Sequence, residues 1–268
     1  MKNLPADYSL LDRPEVLARL FHPRKEWKSA EWDSTSEDVA IPVEENIEVG
    51  GRFYLFDPGG CNLLFFHGNG EIVEDYDDIA PFFGRMGINL LAVDYRGYGR
   101  STGSPSVSTM MRDSHTILQF VRDWLEENKH PGPLIVMGRS LGSACAIELA
   151  FHHEKSVDAL IVESGFAYTN PLLRLLGVDT EEMGIHENEG FRNLDKIRSF
   201  GKPTLILHAE FDQIIPFTDA EALFNACGAK DKELVMIPGA DHNSLFLIGL
   251  PTYLASIKTL ADKLKANV

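Results

Sequence analysis

The chain has 268 residues, with 25 Lys plus Arg against 40 Asp plus Glu and a net charge of −15. That length suits one large α/β domain, a class that reaches about 250 residues, and the charge repels phosphate backbones and anionic lipid surfaces, so nucleic acid is not an expected partner. Cys61, Cys145 and Cys227 stand far apart without C-x-x-C spacing, and Met1 to Leu10 shows no basic segment followed by an apolar one; the expectation is free thiols in the cytoplasm, with no transmembrane segment.

Residues 1–45 are polar and punctuated by Pro5, Pro14, Pro23 and Pro42. They are read as an N-terminal extension packed on the core, with a short helix over 15–21 started by Asp12-Arg13-Pro14. Gly50-Gly51 reads as the two-residue turn of a hairpin joining strands 46–49 and 52–56. From there apolar runs at 62–66, 89–93, 133–137, 159–162, 203–208 and 233–237 alternate with helical periods at 76–86, 107–128, 141–151, 217–227 and 244–265. Strands alternating with helices imply a mainly parallel sheet covered on both faces, here of eight strands within a domain spanning 46–268. The long interval 166–202 interrupts this rhythm and is read as a short lid, against the alternative of an ordinary crossover with a surface loop.

In such a sheet, ligands bind beyond the carboxyl ends of the strands. After the fifth of the eight strands comes Gly138-Arg139-Ser140-Leu141-Gly142, where two glycines permit a tight turn that leaves the Ser140 hydroxyl exposed, although a G-x-S-x-G pentapeptide also arises by chance among 22 glycines. After the seventh comes Asp212, and after the eighth His242. A serine hydroxyl is a weak nucleophile until a histidine accepts its proton and a carboxylate orients that histidine. Ser140, Asp212 and His242 supply all three groups in the chain order expected along one sheet edge.

The sequence resembles the α/β-hydrolase superfamily over about residues 46–262. The resemblance rests on the GRSLG elbow, on His67-Gly68-Asn69-Gly70, on the segment from Asp94 to Ser101, and on the segments ending in Asp212 and His242. It implies the α/β-hydrolase fold, no cofactor, and cleavage of acyl esters or thioesters of small-molecule substrates through an acyl-enzyme. In that reading Ser140 is the nucleophile, His242 the general base, and Asp212 its orienting carboxylate. The backbone N–H groups of Leu141 and Asn69 form the oxyanion hole, with Gly70 as the alternative to Asn69.

Several residues have competing readings. Glu163 stands where another carboxylate can reach His242, and Asp241 reads as a turn residue. His67 reads as a backbone brace, and Glu71 as either a repellent of anionic substrates or a helix cap. His152-His153-Glu154 lacks the spacing of a zinc site, so no metal is expected. Phe166, Tyr168, Leu172, Leu176 and Phe246 are candidate linings of an acyl pocket. A dinucleotide-binding oxidoreductase would need a third glycine where Val73 stands. A non-catalytic binding protein on the same fold and a peptidase are the remaining alternatives.

Overall fold

The computed structural model describes residues 7–27 and 36–266. Strands β3 (Cys61–Phe66), β4 (Ile88–Val93), β6 (Ala159–Glu163) and β7 (Thr204–Ala209) are buried at every position, and β5 (Leu134–Arg139) at all but its last. Continuous burial is what their unbroken apolar runs require, because a parallel sheet is covered on both faces. With β1 (Ser36–Glu44), β2 (Ile47–Tyr54) and β8 (Lys232–Ile237) they form one eight-stranded sheet in the order β1-β2-β4-β3-β5-β6-β7-β8. β3 to β8 run parallel, whereas β2 is antiparallel to both of its neighbours.

Strand alternation sorts the side chains between two cores. Leu63, Phe65, Ile135, Met137 and Ile161 face one core, closed by α2 (Ala80–Gly84) and α8 (Leu245–Lys265). Leu64, Phe66, Val136 and Val162 face the other, closed by α1 (Pro14–Leu20), α3 (Val107–Glu127), α4 (Gly142–His152), α5 (Thr169–Leu175), α6 (Asn193–Ile197) and α7 (Phe217–Ala226). The interval 166–202 thus holds two short helices, and α6 contributes the fully buried Ile197 to the core. Among the described residues no helix is long and apolar enough to cross a membrane.

The amino-terminal hairpin differs from the expected one. Gly50 and Gly51 are not a turn; they lie within β2, opposite Ala40 and Val39 of β1. The turn is at Glu45-Asn46, where Asn46 takes φ 60°, a conformation asparagine adopts more readily than most residues, and the β1–β2 register shifts beside it, between Pro42 and Glu44. Gly51 serves close approach instead, since a Cβ there would meet Val39 Cγ2 at 3.0 Å and the Ala92 carbonyl oxygen at 3.1 Å. The expected strands 46–49 and 52–56 therefore merge into one, and the eighth strand is β1, which carries Pro42 on the sheet edge, where a missing N–H is tolerated. Parts of the 1–45 segment, residues 1–6 and 28–35, lie outside the described residues, as do 267–268. The expected helix 76–86 shortens to α2, preceded by a single 3-10 turn at Val73–Tyr76.

Candidate active site

β5 runs into a turn from which α4 departs, and Ser140 sits between them at φ 51°, the left-handed region that a non-glycine residue occupies only when its surroundings impose it. The Ser140 N–H donates to the Glu163 carbonyl at 2.8 Å, tying the turn to β6. A Cβ at Gly138 would lie 2.2 Å from the Gly142 carbonyl oxygen, and one at Gly142 would lie 2.2 Å from that of Phe66. Strand, turn and helix close this tightly only because both positions are glycine.

The structure brings Ser140, His242 and Asp212 into one chain of contacts. His242 Nε2 lies 3.1 Å from Ser140 Oγ, and His242 Nδ1 lies 2.7 Å from Asp212 Oδ2. Asp212 Oδ1 accepts the N–H groups of Ile214 at 3.0 Å and Ile215 at 2.8 Å. Burial pushes this carboxyl up, but the His242 hydrogen bond and charge and the Ile215 N–H outweigh burial and hold it below the ordinary aspartate value. A carboxylate only accepts, so His242 Nδ1 carries the proton and its Nε2 lone pair faces the serine. His208 on β7 donates from Nε2 to the Ile215 carbonyl at 2.7 Å, bracing the loop that cradles Asp212.

A cavity of about 270 Å³ opens on Ser140 and His242, with Leu20, Leu172, Leu176 and Ile214 as its apolar wall and Asn69 and Leu141 beside the serine. Asn69 is held through its side-chain oxygen, which accepts Tyr98 Oη–H at 2.8 Å and the His22 N–H at 2.9 Å. Of the residues named from sequence as pocket linings, Leu172 and Leu176 reach this cavity. Phe166 does not; it is buried edge-on against Phe191, ring centres 5.2 Å apart. Tyr168 precedes α5 with 39% of its surface exposed and does not line the cavity. Phe246 lies on the other core, against Tyr253 and Phe82, because the start of α8 packs toward α2.

The other candidates take structural positions. Glu163 Oε2 accepts Tyr253 Oη–H at 2.8 Å, whereas the carboxylate on His242 Nδ1 is Asp212. Asp241 Oδ1 accepts from the N–H groups of Asn243 at 3.0 Å and Ser244 at 2.9 Å, shaping the turn into α8. His67 donates from Nδ1 to the Gly68 carbonyl at 2.8 Å. Glu71 does not cap the following turn, a role taken by Asp75, whose Oδ2 accepts the Ile72 N–H at 3.0 Å. His152 and His153 meet His115 of α3, with His115 Nδ1 2.7 Å from His153 Nε2 and His152 3.3 Å from Glu148. Among the described residues no cluster of His, Cys, Asp and Glu is arranged to hold a metal.

The sequence pattern assigns Arg139 no role of its own. Its Nε lies 3.3 Å from Glu71 and 3.4 Å from Glu163, and its Nη2 donates to the His242 carbonyl at 3.0 Å. Glu71 in turn accepts the Gly68 N–H at 2.7 Å and Tyr76 Oη–H at 2.6 Å. One guanidinium thus joins the glycine loop, the elbow and the histidine loop. Burial alone would lower the Arg139 pKa, but the two carboxylates raise it; burial raises that of Glu163, only partly offset by Arg139. The available signal was strand register, which places Arg139 directly opposite Glu163.

A family model described as serine aminopeptidase, S33, matches residues 61–179 and 190–246, well over half of the chain. Protein bem46 of Schizosaccharomyces pombe is 31% identical over 192 residues, covering 69% of this chain and 62% of that protein, so the match spans less than two thirds of its length. Alpha/beta hydrolase domain-containing protein 17B of Xenopus tropicalis is 30% identical over 210 residues, covering 77% of this chain and 68% of the relative. In structure, the chain is similar to the esterase Pf2001 of Pyrococcus furiosus, with TM-score 0.72 and 18% identity over 91% of this chain and 99% of that one. It is also similar to a soluble variant of monoglyceride lipase from Saccharomyces cerevisiae, with TM-score 0.68 and 19% identity over 89% and 98%. At those identities the structures speak for the fold, and the family match and the relatives carry the assignment. The chain belongs to the α/β-hydrolase superfamily, in the family described as serine aminopeptidase, S33.

Proposed function

We propose that the protein is a serine hydrolase that cleaves acyl esters or thioesters through an acyl-enzyme. The observation that carries this reading is the chain from Asp212 through His242 to Ser140, at 2.7 and 3.1 Å, ending in a cavity walled by leucines. Ser140 Oγ attacks the acyl carbon as His242 Nε2 takes its proton, and Asp212 stabilises the imidazolium that forms. The backbone N–H groups of Leu141 and Asn69 receive the developing oxyanion, where removing a single donor typically costs about 3–4 kcal/mol. His242 then protonates the leaving group, and water repeats the sequence to release the acid. Leu172 and Leu176 hold the acyl chain, and the segment 166–202 that carries them serves as a short lid.

The family description names aminopeptidases, and such an enzyme needs a carboxylate near the serine for the substrate ammonium group. Glu71 is the carboxylate lining the Ser140 cavity, and it is engaged by Gly68, Tyr76 and Arg139, which favours ester and thioester substrates. The test is turnover of p-nitrophenyl esters from acetate to palmitate, acyl thioesters and amino-acid p-nitroanilides by wild type and Ser140→Ala. Ester or thioester turnover lost in Ser140→Ala supports the proposal; turnover of the anilides alone, or of nothing, refutes it.

A further inference from the structure

The Ser140 cavity has a neighbour on the opposite face of the sheet. This second cavity, of about 280 Å³, is walled by Phe65 of β3, Phe83 of α2 and Phe246 and Tyr253 of α8, with Arg139, Glu71 and Asn243 common to both spaces. Its body is a set of ring edges and faces: Phe246 meets Tyr253 at 5.4 Å and 80°, and Phe65 meets Tyr76 at 4.6 Å and 62°. A flat ring placed among them continues the edge-to-face arrangement that aromatic quadrupoles prefer.

The polar end of this cavity selects by charge. Glu71, Asp75 and Glu163 line it, and Arg139, the guanidinium in its wall, is already paired. Arg139 is taken by Glu71, Glu163 and the His242 carbonyl, while Arg24 is taken by Asp75 and the Gly70 carbonyl. A carboxylate guest would be buried without a counter-charge, whereas a hydroxyl finds carboxylate oxygens to donate to and the Asn243 amide to bond.

We propose that this cavity is a second small-molecule site, separate from the cleft at Ser140, for an uncharged alcohol with a flat apolar body. An occupant touches Asn243, Leu245 and Phe246, which follow His242 directly in the chain, and Arg139, which bonds the His242 carbonyl. Filling the site therefore acts on the histidine loop without entering the Ser140 cavity. The binding does not depend on the reaction proposed above.

The test uses Ser140→Ala protein, so that binding is read without turnover. Benzyl alcohol is titrated by calorimetry beside benzoate, a probe of similar shape and opposite merit for this wall. Saturable binding of benzyl alcohol with a Kd on the order of millimolar is expected for a ligand of that size, with benzoate at least about tenfold weaker. Adding Ile79→Trp, which fills this cavity from its α2 side, should weaken benzyl alcohol at least about tenfold, and adding Leu176→Trp, which fills the other cavity, should leave it within about twofold. Should Ile79→Trp fail to fold, a crystal soaked with 4-bromobenzyl alcohol decides the matter, with the bromine expected between Phe65 and Tyr253. Absence of saturable binding, equal affinity for benzoate, loss on Leu176→Trp instead of Ile79→Trp, or bromine beside Leu172 would each overturn the proposal. Because no readout requires hydrolysis, a protein without esterase activity leaves this test intact.

Discussion

Ser140 and Arg139 are adjacent in sequence, yet they work on opposite sides of the sheet. Arg139 is the last residue of β5 and keeps strand register, so its side chain joins Glu163 and Tyr253 on the face covered by α8. Ser140, at φ 51°, has left that register and opens toward the cavity walled by leucines from α1 and the segment around α5. The difference shows a division of labour within one turn. Three side chains form the proposed reacting array, and a largely buried network behind them, Tyr76-Glu71-Arg139-Glu163-Tyr253, holds the segments that carry it.

Substitutions on the two sides should therefore fail in different ways. On the reacting side, Asp212→Asn leaves the shape of the array but removes the charge that selects the His242 tautomer. It should lower kcat on the order of 10⁴-fold with the fold retained, measured on whichever ester turns over fastest, with circular dichroism as the control. On the network side, Arg139→Met leaves Glu71 and Glu163 without their cation and should cost about 3–5 kcal/mol of stability, read by urea unfolding. Arg139→Lys should recover part of that loss, since it restores the charge without the guanidinium fork. If Arg139→Met unfolds at the wild-type urea midpoint and loses only activity, the division between the two sides is wrong.

A smaller effect belongs to the cavity wall. Leu172→Asp places a charge against the proposed acyl chain and should raise KM for octanoyl and longer esters about tenfold or more while sparing acetate; equal losses on both would remove Leu172 from the pocket.

The smallest effect separates the two sides by pH. The Asp212 carboxyl is lower in the folded chain than when free, so its stabilisation is complete above the free aspartate value near about pH 4 and is lost as pH falls through its lowered value. Glu163 is raised, chiefly by burial, so its contribution is full below the free glutamate value and is lost as pH rises through the raised one. Thermal unfolding followed from about pH 3 to about pH 7 should show Asp212→Asn losing less than wild type on acidification, and Glu163→Gln losing less than wild type as pH rises. Curves parallel to wild type for both variants would contradict these assignments.

The parallel half of the sheet was legible because each strand from β3 to β7 is buried on both faces and so reads as an unbroken apolar run. The meeting of Ser140, Asp212 and His242 followed from the same regularity, since parallel strands deliver their following residues to one edge. The antiparallel edge was harder to read. Gly50-Gly51 carries a turn signature, yet the crowding by Val39 and Ala92 that demands glycine there is tertiary, and the actual turn at Asn46 is marked by one asparagine. Phe166 and Phe246 stay out of the Ser140 cavity for a related reason: an aromatic residue near a site in sequence faces whichever core its helix or loop packs against. Arg139 stayed hidden because its partners, Glu71, Glu163 and the His242 carbonyl, come from three separate segments.

The most direct test of the central claim is intact-mass analysis after a fluorophosphonate probe is added to wild type, His242→Ala and Ser140→Ala, with the adduct mapped by peptide sequencing. A single adduct on Ser140 in wild type, much slower labelling in His242→Ala and none in Ser140→Ala are expected of a serine activated by that histidine. No adduct on folded wild type, or one that persists in Ser140→Ala, would contradict a nucleophilic Ser140.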